Sequence, residues 1–96
     1  MQSKFLLGTL KITPDARRAL RRLPYDLIAR HAICEHGHIS PAEQRSNHVA
    51  LQSLGRIVSR YRADPTDKNS DYVVITTEAT WRETTVSLEK AKENAS

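Results

Sequence analysis

The alternation of apolar and polar positions is most regular between residues 56 and 89, where it predicts three β-strands. β-Branched and aromatic residues cluster in residues 56–62, 72–78 and 83–89, and turn-forming residues separate the three segments. Residues 78–82 are few enough for a hairpin loop, so we expect the last two strands to be antiparallel neighbours. The second half of the chain therefore predicts an antiparallel sheet.

A weaker alternation over residues 4–12 predicts one more strand, which we expect at an edge of the sheet. Gly8 interrupts this alternation, which indicates a bulge or a close approach of another backbone. Residues 63–71 are polar and contain proline, asparagine and aspartates, so they predict a surface connection between two strands.

Apolar residues at helical spacing predict three helices between the first strand and the others. The expected ranges are residues 14–23, 25–33 and 41–54. Thr13 and Ser40 each place a hydroxyl N-cap directly before a proline, and Glu43 has the capping-box spacing from Ser40. Gly55 stands where a helix C′ glycine is expected, so the chain should turn there into the next strand.

Together these elements predict a single α+β domain over residues 1–89 and a frayed tail over residues 90–96. The expected architecture is an N-terminal strand and three helices packed on one face of an antiparallel three- to four-stranded sheet. Hydrophobic residues make up 39% of the chain and charged residues 27%, which excludes a disordered or membrane-embedded class. One cysteine and no apolar N-terminal segment of signal-peptide length predict a cytoplasmic protein without disulfides.

The net charge of +4 is unevenly distributed along the chain. Residues 1–62 contain eleven lysines and arginines against four acids, whereas residues 63–96 contain four against seven. An anionic partner is therefore expected to meet the first two-thirds of the chain.

Two groups of arginines and one tryptophan are the candidate partner contacts. The first group follows the polar side of the first predicted helix: Arg17, Arg18, Arg21 and Arg22. The second group, Arg56, Arg60 and Arg62, alternates with core-facing residues and predicts an outward basic stripe on the first strand of the antiparallel sheet. Trp81 lies at the expected hairpin tip, where it either is exposed or folds back onto the sheet. The helix arginines are either a solvated face or a contact for phosphates or acidic protein.

A group of potential metal ligands lies between the second and third predicted helices. It consists of His31, Cys34, His36 and His38, and zinc favours cysteine with histidine. A structural zinc site combines two ligand pairs from separate segments, and the second pair is missing here. We therefore predict no cofactor and keep these residues as weak metal candidates. The alternatives are a loop with incidental histidines and a pH-sensitive contact.

Several short motifs along the chain are together similar to one group of proteins. They are a strand entering a Thr-Pro helix at residues 8–19, Leu-Ile-x-Arg-His at 27–31, Asn47 followed by Ala50-Leu51, Gly-Arg-x-x-Ser-x-Tyr at 55–61, and a hairpin at 74–85. In this respect the chain resembles small uncharacterised proteins of bacterial plasmids, integrative elements and phages. Members tend to have a Gly-Asp-Trp-Gly-like segment where this chain has Cys34 to His38. Cys34 and the extra histidines are departures from that pattern, so the resemblance weakens the metal hypothesis further.

Small proteins of such mobile genetic elements often bind host proteins and interfere with defence or regulation. The resemblance thus implies a non-enzymatic accessory protein that binds a host protein or ribonucleoprotein complex, as an anti-CRISPR-like inhibitor or regulator antagonist does. The basic residues suit an acidic partner surface. The first alternative is weakly sequence-specific nucleic-acid binding through the same arginines. The second is a small nuclease or toxin that uses His31, His36 or His38.

Overall fold

The computed structural model describes residues 3–90 and shows an α+β domain, as the sequence predicts. The helices are Pro14–Leu20 (α1), Tyr25–Ala32 (α2) and Pro41–Ser53 (α3). The strands are Thr9–Ile12 (β1), Ile57–Arg62 (β2), Tyr72–Thr77 (β3) and Glu83–Glu89 (β4), with one 3-10 turn at Ala79–Trp81. The last three strands match their predicted bounds within one residue. The expected fraying of residues 90–96 falls, beyond Lys90, outside the described residues.

The four strands form one open sheet in the order β1-β4-β3-β2. β2 and β3 are antiparallel, as are β3 and β4, but β1 is parallel to β4. The predicted antiparallel arrangement is confirmed for the three strands β2, β3 and β4, but the fourth strand β1 joins them in parallel, so the sheet is mixed. The chain leaves β1 through all three helices and returns at the far edge. The last strand of the meander then lies between β3 and β1, running in the direction of β1.

The N-terminal strand is shorter than predicted because Gly8 redirects the chain. Gly8 has φ +65°, and a Cβ there would lie 2.1 Å from the Arg82 carbonyl oxygen. The expectation of a close backbone approach is thus confirmed, and regular pairing begins at Thr9. Before the glycine, the Lys4 amide donates to the Ala32 carbonyl at 2.7 Å, and Phe5 is buried.

Helix starts agree with the sequence better than helix ends do. Thr13 and Ser40 cap α1 and α3 with their hydroxyls, and Ser40 forms the predicted capping box with Glu43. α1 ends at Leu20 rather than near residue 23, because Arg21 takes the left-handed conformation at φ 65°. After α3, Gly55 follows the C-cap Leu54 as expected and its amide donates to the Ala50 carbonyl at 3.0 Å, but the left-handed conformation, φ 55°, falls on Leu54.

The core lies on the sheet face that the helices cover. Ala16 of α1 and Ile28 of α2 pack with Ile75 and Val86, all of them buried. α3 contributes Ala50 to a second cluster. Of its other apolar residues Val49 is 61% exposed, and the C-cap Leu54 is 52% exposed.

The β2 edge of the sheet is covered by polar groups. The Asn47 side-chain amide donates to the Val58 carbonyl at 2.8 Å and accepts from the Val58 amide at 3.0 Å. Two residues further along, the Arg60 amide donates to the His36 carbonyl at 3.0 Å, and the His38 amide donates to the Arg60 carbonyl at 2.7 Å. Helix α3 and residues 36–38 thus occupy backbone groups that point away from the sheet.

Candidate binding surface

The arginines of the α1 segment are exposed, as the sequence predicts. They are Arg17, Arg18, Arg21 and Arg22. Within residues 3–90, none of them forms an ion pair within 4 Å. The hydrogen bond from the Thr13 hydroxyl lowers the pKa of Asp15, and the charge of Arg18 adds to this effect. Four like charges close together are tolerated in water and favour an anionic partner.

A groove of about 630 Å³ lies between these arginines and β1. Its lining consists of Leu10, Lys11, Ile12, Arg17, Arg21, Arg22 and Leu23. Neighbouring side chains of a strand point to opposite faces of the sheet. Three consecutive residues, Leu10 to Ile12, can therefore line one groove only where it follows the edge of the strand. The groove combines a strand edge, apolar side chains and cations.

Only alternate backbone groups of β1 form hydrogen bonds within the sheet. The Thr9 amide donates to the Arg82 carbonyl and the Thr13 amide to the Val86 carbonyl, both at 2.9 Å. In a parallel ladder, alternate residues of a strand bond to the same neighbour. The peptide groups of the intervening residues Leu10 and Ile12 consequently point away from β4, toward the groove.

The predicted basic stripe on β2 is less available than α1. Alternation is as expected, with Ile57, Ser59 and Tyr61 buried and the intervening residues partly exposed. Arg60 donates from Nε to Glu89 at 3.1 and 3.3 Å and also forms an ion pair with Glu43. This ion pair lowers the pKa of Glu43 and raises that of Arg60. The expectation that Arg60 is free on an outward stripe is therefore corrected.

The other two arginines of this group differ from each other. Arg56 is exposed and lies 3.7 Å from Glu78, a distance that gives a weak surface pair. Arg62 is half-buried, and its Nε atom has no hydrogen-bond partner within the described part of the chain. That Arg56 and Arg62 contact a partner stays a prediction.

Trp81 folds back onto the protein. Its indole nitrogen donates to the Gly55 carbonyl at 2.9 Å, and its ring centroid lies 5.6 Å from that of Phe5. Of the two alternatives predicted for this residue, folding back is therefore the one observed, because the 3-10 turn directs the side chain toward the second core cluster.

The histidine segment contributes to a line of buried hydrogen bonds rather than to a loop surface. His36 Nδ1 lies 2.7 Å from the Ser59 hydroxyl, which lies 2.6 Å from His31 Nδ1. His31 Nε2 lies 2.9 Å from the Thr77 hydroxyl, and this hydroxyl is 2.7 Å from that of Thr84. His31, Ser59, Thr77 and Thr84 are fully buried. We call this line the histidine relay.

The end of the histidine relay fixes the direction of every bond in it. Thr84 donates its only hydroxyl proton to the Leu7 carbonyl at 2.6 Å, so it accepts from Thr77. Thr77 in turn has no proton left for His31, and His31 must carry its proton on Nε2. Its Nδ1 then accepts from the hydroxyl of Ser59, which in turn accepts from the next histidine.

Protonation of the relay is unfavourable. Burial, with a smaller contribution from the charge of His36, lowers the pKa of His31 to about 3. Burial also lowers the pKa of His36 and raises that of the Cys34 thiol. A neutral, fully buried imidazole between two hydroxyls holds α2 to the sheet and cannot touch a macromolecular substrate.

The weak metal candidates do not converge. Within residues 3–90, no three histidine, cysteine or acidic side chains are grouped closely enough to hold a metal ion. His31 and His36 are separated by 6.0 Å between ring centroids and are bridged by Ser59, while the ring of His38 lies tilted by 57° beside that of Tyr72 at the same separation.

Sequence reasoning missed the apolar and backbone part of the groove. It identified the arginines but assigned Leu10 and Ile12 only to a strand. The signal was present in the predicted position of that strand at an edge, because an edge strand leaves one side of its backbone outside the sheet ladder.

Comparison with protein-family models, with curated proteins and with solved structures gives no match. Among the described residues, no helix has the length and apolar character needed to cross a membrane.

Proposed function

We propose that this chain is a non-enzymatic binding protein whose groove between α1 and β1 engages an acidic surface of a partner protein. The single observation that supports this proposal best is that Arg17, Arg21 and Arg22, which form no ion pair among residues 3–90, lie beside apolar side chains in one groove. Arginine suits carboxylates because its planar fork donates two parallel hydrogen bonds.

A protein partner is favoured over a purely electrostatic one by the mixed lining. Leu10, Ile12 and Leu23 are partly exposed in the groove, and all three also pack on the main core cluster. Protein interfaces combine a desolvated apolar centre with arginine, whereas nonspecific phosphate binding needs charge alone. The likeness to accessory proteins of mobile elements supports a host protein or ribonucleoprotein complex as the partner, and inhibition or antagonism as the outcome.

The test is capture of partners from a nuclease-treated lysate of the host cell with three forms of the protein. These are the unmodified chain, the variant Arg17→Glu/Arg21→Glu, and the control Arg45→Glu/Lys68→Glu. The control makes the same change in net charge at exposed positions on α3 and in the β2–β3 loop. We expect one protein to be enriched by the unmodified chain and the control, and reduced at least tenfold with the α1 variant.

A partner set that is equal for all three forms contradicts the proposal. So does a set of proteins that is captured from an untreated lysate but not from the nuclease-treated one, because capture of these proteins then depends on nucleic acid.

Nucleic-acid binding is the second candidate, and one observation favours it. Tyr25 is 65% exposed and follows Arg22 by three residues, which places an aromatic ring near the basic segment. Single strands combine phosphate contacts with stacking on such rings. If the four arginines bind phosphates of a duplex, the logarithm of the binding constant should fall with log salt at a slope of about −3.6. A flat salt response with both a duplex and a single strand would remove this candidate.

The nuclease alternative has the weakest support. His31 is buried and bonded on both ring nitrogens, so it cannot abstract a proton from a bound substrate. Prolonged incubation of the purified protein with labelled RNA and DNA tests this class directly. Cleavage that is lost in both His36→Ala and His38→Ala would revive it.

A further inference from the structure

We propose that β1 accepts an added β-strand from an acidic segment of the partner, so that the partner extends the sheet by one strand. This inference rests on the proposed function and specifies how the groove is used. It predicts an extended segment with aspartate or glutamate at alternate positions, bound by its backbone to β1 and by its carboxylates to α1.

The first support is the unpaired backbone at this edge. The ladder to β4 uses the amides of Thr9 and Thr13, which leaves those of Leu10 and Ile12 on the groove side. Each of these two residues offers one N–H and one C=O group, in the geometry that an incoming strand requires. Pairing of an extended peptide with an exposed sheet edge is an established mode of recognition because main-chain bonds supply affinity.

The second support is that the groove follows the strand edge. Leu10, Lys11 and Ile12 all contribute to its lining, which places the edge itself at the base of the groove. The volume of about 630 Å³ is of the order expected for a ligand-binding cleft.

The third support is charge complementarity on the helix side of this edge. Arg17, Arg21 and Arg22 line the groove from the α1 segment, and no acid among residues 3–90 neutralises them. On the opposite side, Lys11 is already paired with Glu83 at 2.7 Å. Side chains of an added strand alternate between these two sides. The added segment is therefore expected to carry acidic residues only on the side that faces α1. This places an acidic residue at every second position of the segment.

The experiment starts from a display library of eight-residue segments with aspartate or glutamate fixed at alternate positions. Selected peptides are titrated into ¹⁵N-labelled protein, and amide hydrogen exchange is followed by NMR. We expect exchange of the Leu10 and Ile12 amides to slow at least tenfold on binding. The Val58 and Arg60 amides, which are already bonded, serve as internal controls and should not change.

An ester scan of the selected peptide gives an independent readout. Replacing one peptide N–H at a time by an ester oxygen should weaken binding about five- to tenfold at alternate residues and leave the residues between them unaffected. Lysine in place of the acidic residues should abolish binding, as should Arg17→Glu/Arg21→Glu in the protein.

The outcomes separate this inference from the proposed function. Charge-dependent binding without slowed exchange at Leu10 and Ile12 overturns the added strand and leaves an acidic partner in place. A library without binders overturns the inference, and the lysate experiment then decides the proposed function alone. If the Leu10 and Ile12 amides already exchange slowly without peptide, and sedimentation analysis shows a dimer, then a second copy of the chain pairs with β1. This outcome overturns the proposal that an acidic segment binds there.

Discussion

The two edges of the sheet differ in whether their outward backbone groups are hydrogen-bonded by other parts of the described chain. At the β2 edge, an asparagine amide and the backbone of residues 36–38 occupy the outward groups of Val58 and Arg60. At the β1 edge, the outward groups of Leu10 and Ile12 face a groove with a basic side. An exposed edge promotes unwanted pairing, so proteins usually cover or blunt it. The contrast indicates that the covered β2 edge contributes to stability, whereas the outward backbone groups of the β1 edge can accept a further hydrogen-bond partner.

This comparison makes its strongest prediction for His31, which ties α2 to the covered side of the sheet. His31→Ala removes the acceptor of the Ser59 hydroxyl proton and the donor to the Thr77 hydroxyl oxygen, and it leaves a cavity. We expect a loss of about 3 kcal/mol in the free energy of unfolding, measured by urea denaturation. The exposed His48 is the control, and His48→Ala should change stability by less than about 0.5 kcal/mol. Equal effects of the two variants would show that the relay has no structural role.

Acidification should weaken the same side of the molecule. The pKa of His31 is about 3 in the folded protein against 6.5 as its ordinary value, so the folded state binds fewer protons than the unfolded state between these limits. Stability is therefore fully present above pH 6.5 and falls as the pH is lowered, by at most about 1.4 kcal/mol for each pH unit. The lowered pKa of His36 acts in the same direction. Urea denaturation at pH 7.0, 6.0 and 5.0 measures the slope. A pH-independent stability in this range would contradict the assigned neutral tautomer.

The next effect concerns the cover of the β2 edge itself. Asn47→Ala leaves the N–H and C=O groups of Val58 without their bonds, and we expect a loss of about 2 kcal/mol. Asn47→Asp should also be destabilising, because a carboxylate can accept from the amide of Val58 but repels its carbonyl. The exposed neighbour Ser46 is the control, since Ser46→Ala removes no such bond. If Asn47→Ala, Asn47→Asp and Ser46→Ala all had the denaturation midpoint of the unmodified protein, the proposed role of the Asn47 amide would be contradicted.

The smallest change in stability is expected at the open edge. Arg17→Ala/Arg21→Ala removes no ion pair within the described residues, so the free energy of unfolding should change by less than about 0.5 kcal/mol. Binding of the captured partner should nevertheless fall at least tenfold. A variant that is destabilised by more than about 1 kcal/mol would mean that these arginines support the fold, and the distinction between the two edges would be lost.

Local signals in the sequence predicted most of the fold. The three strands of the meander were located because β-branched residues cluster there, and the starts of α1 and α3 because Thr13 and Ser40 precede prolines. The parallel pairing of β1 with β4 was not predictable in this way. It joins residues more than 70 positions apart, and no local propensity encodes it.

The candidate site was predicted in part for the same reason. Arg17 and Arg18 are exposed because helical spacing places them away from Ala16, and this can be read from the sequence, whereas Arg21 and Arg22 follow the end of α1 at Leu20. Neutralisation of Arg60 depends on Glu43 and Glu89, which lie 17 and 29 positions away. Burial of His31 had a local signal, since it lies three residues after the buried Ile28 on the same face of α2.

The unequal edges also limit how copies of the chain can assemble. Growth of a fibril by sheet extension needs two receptive edges on each copy, so that every new copy offers a place to the next. Here the β2 edge is closed by Asn47 and residues 36–38, so within residues 3–90 β1 is the edge that can meet another copy. A pair of β1 strands related by a two-fold axis uses this edge of both copies, which ends sheet growth of the described domain at a dimer.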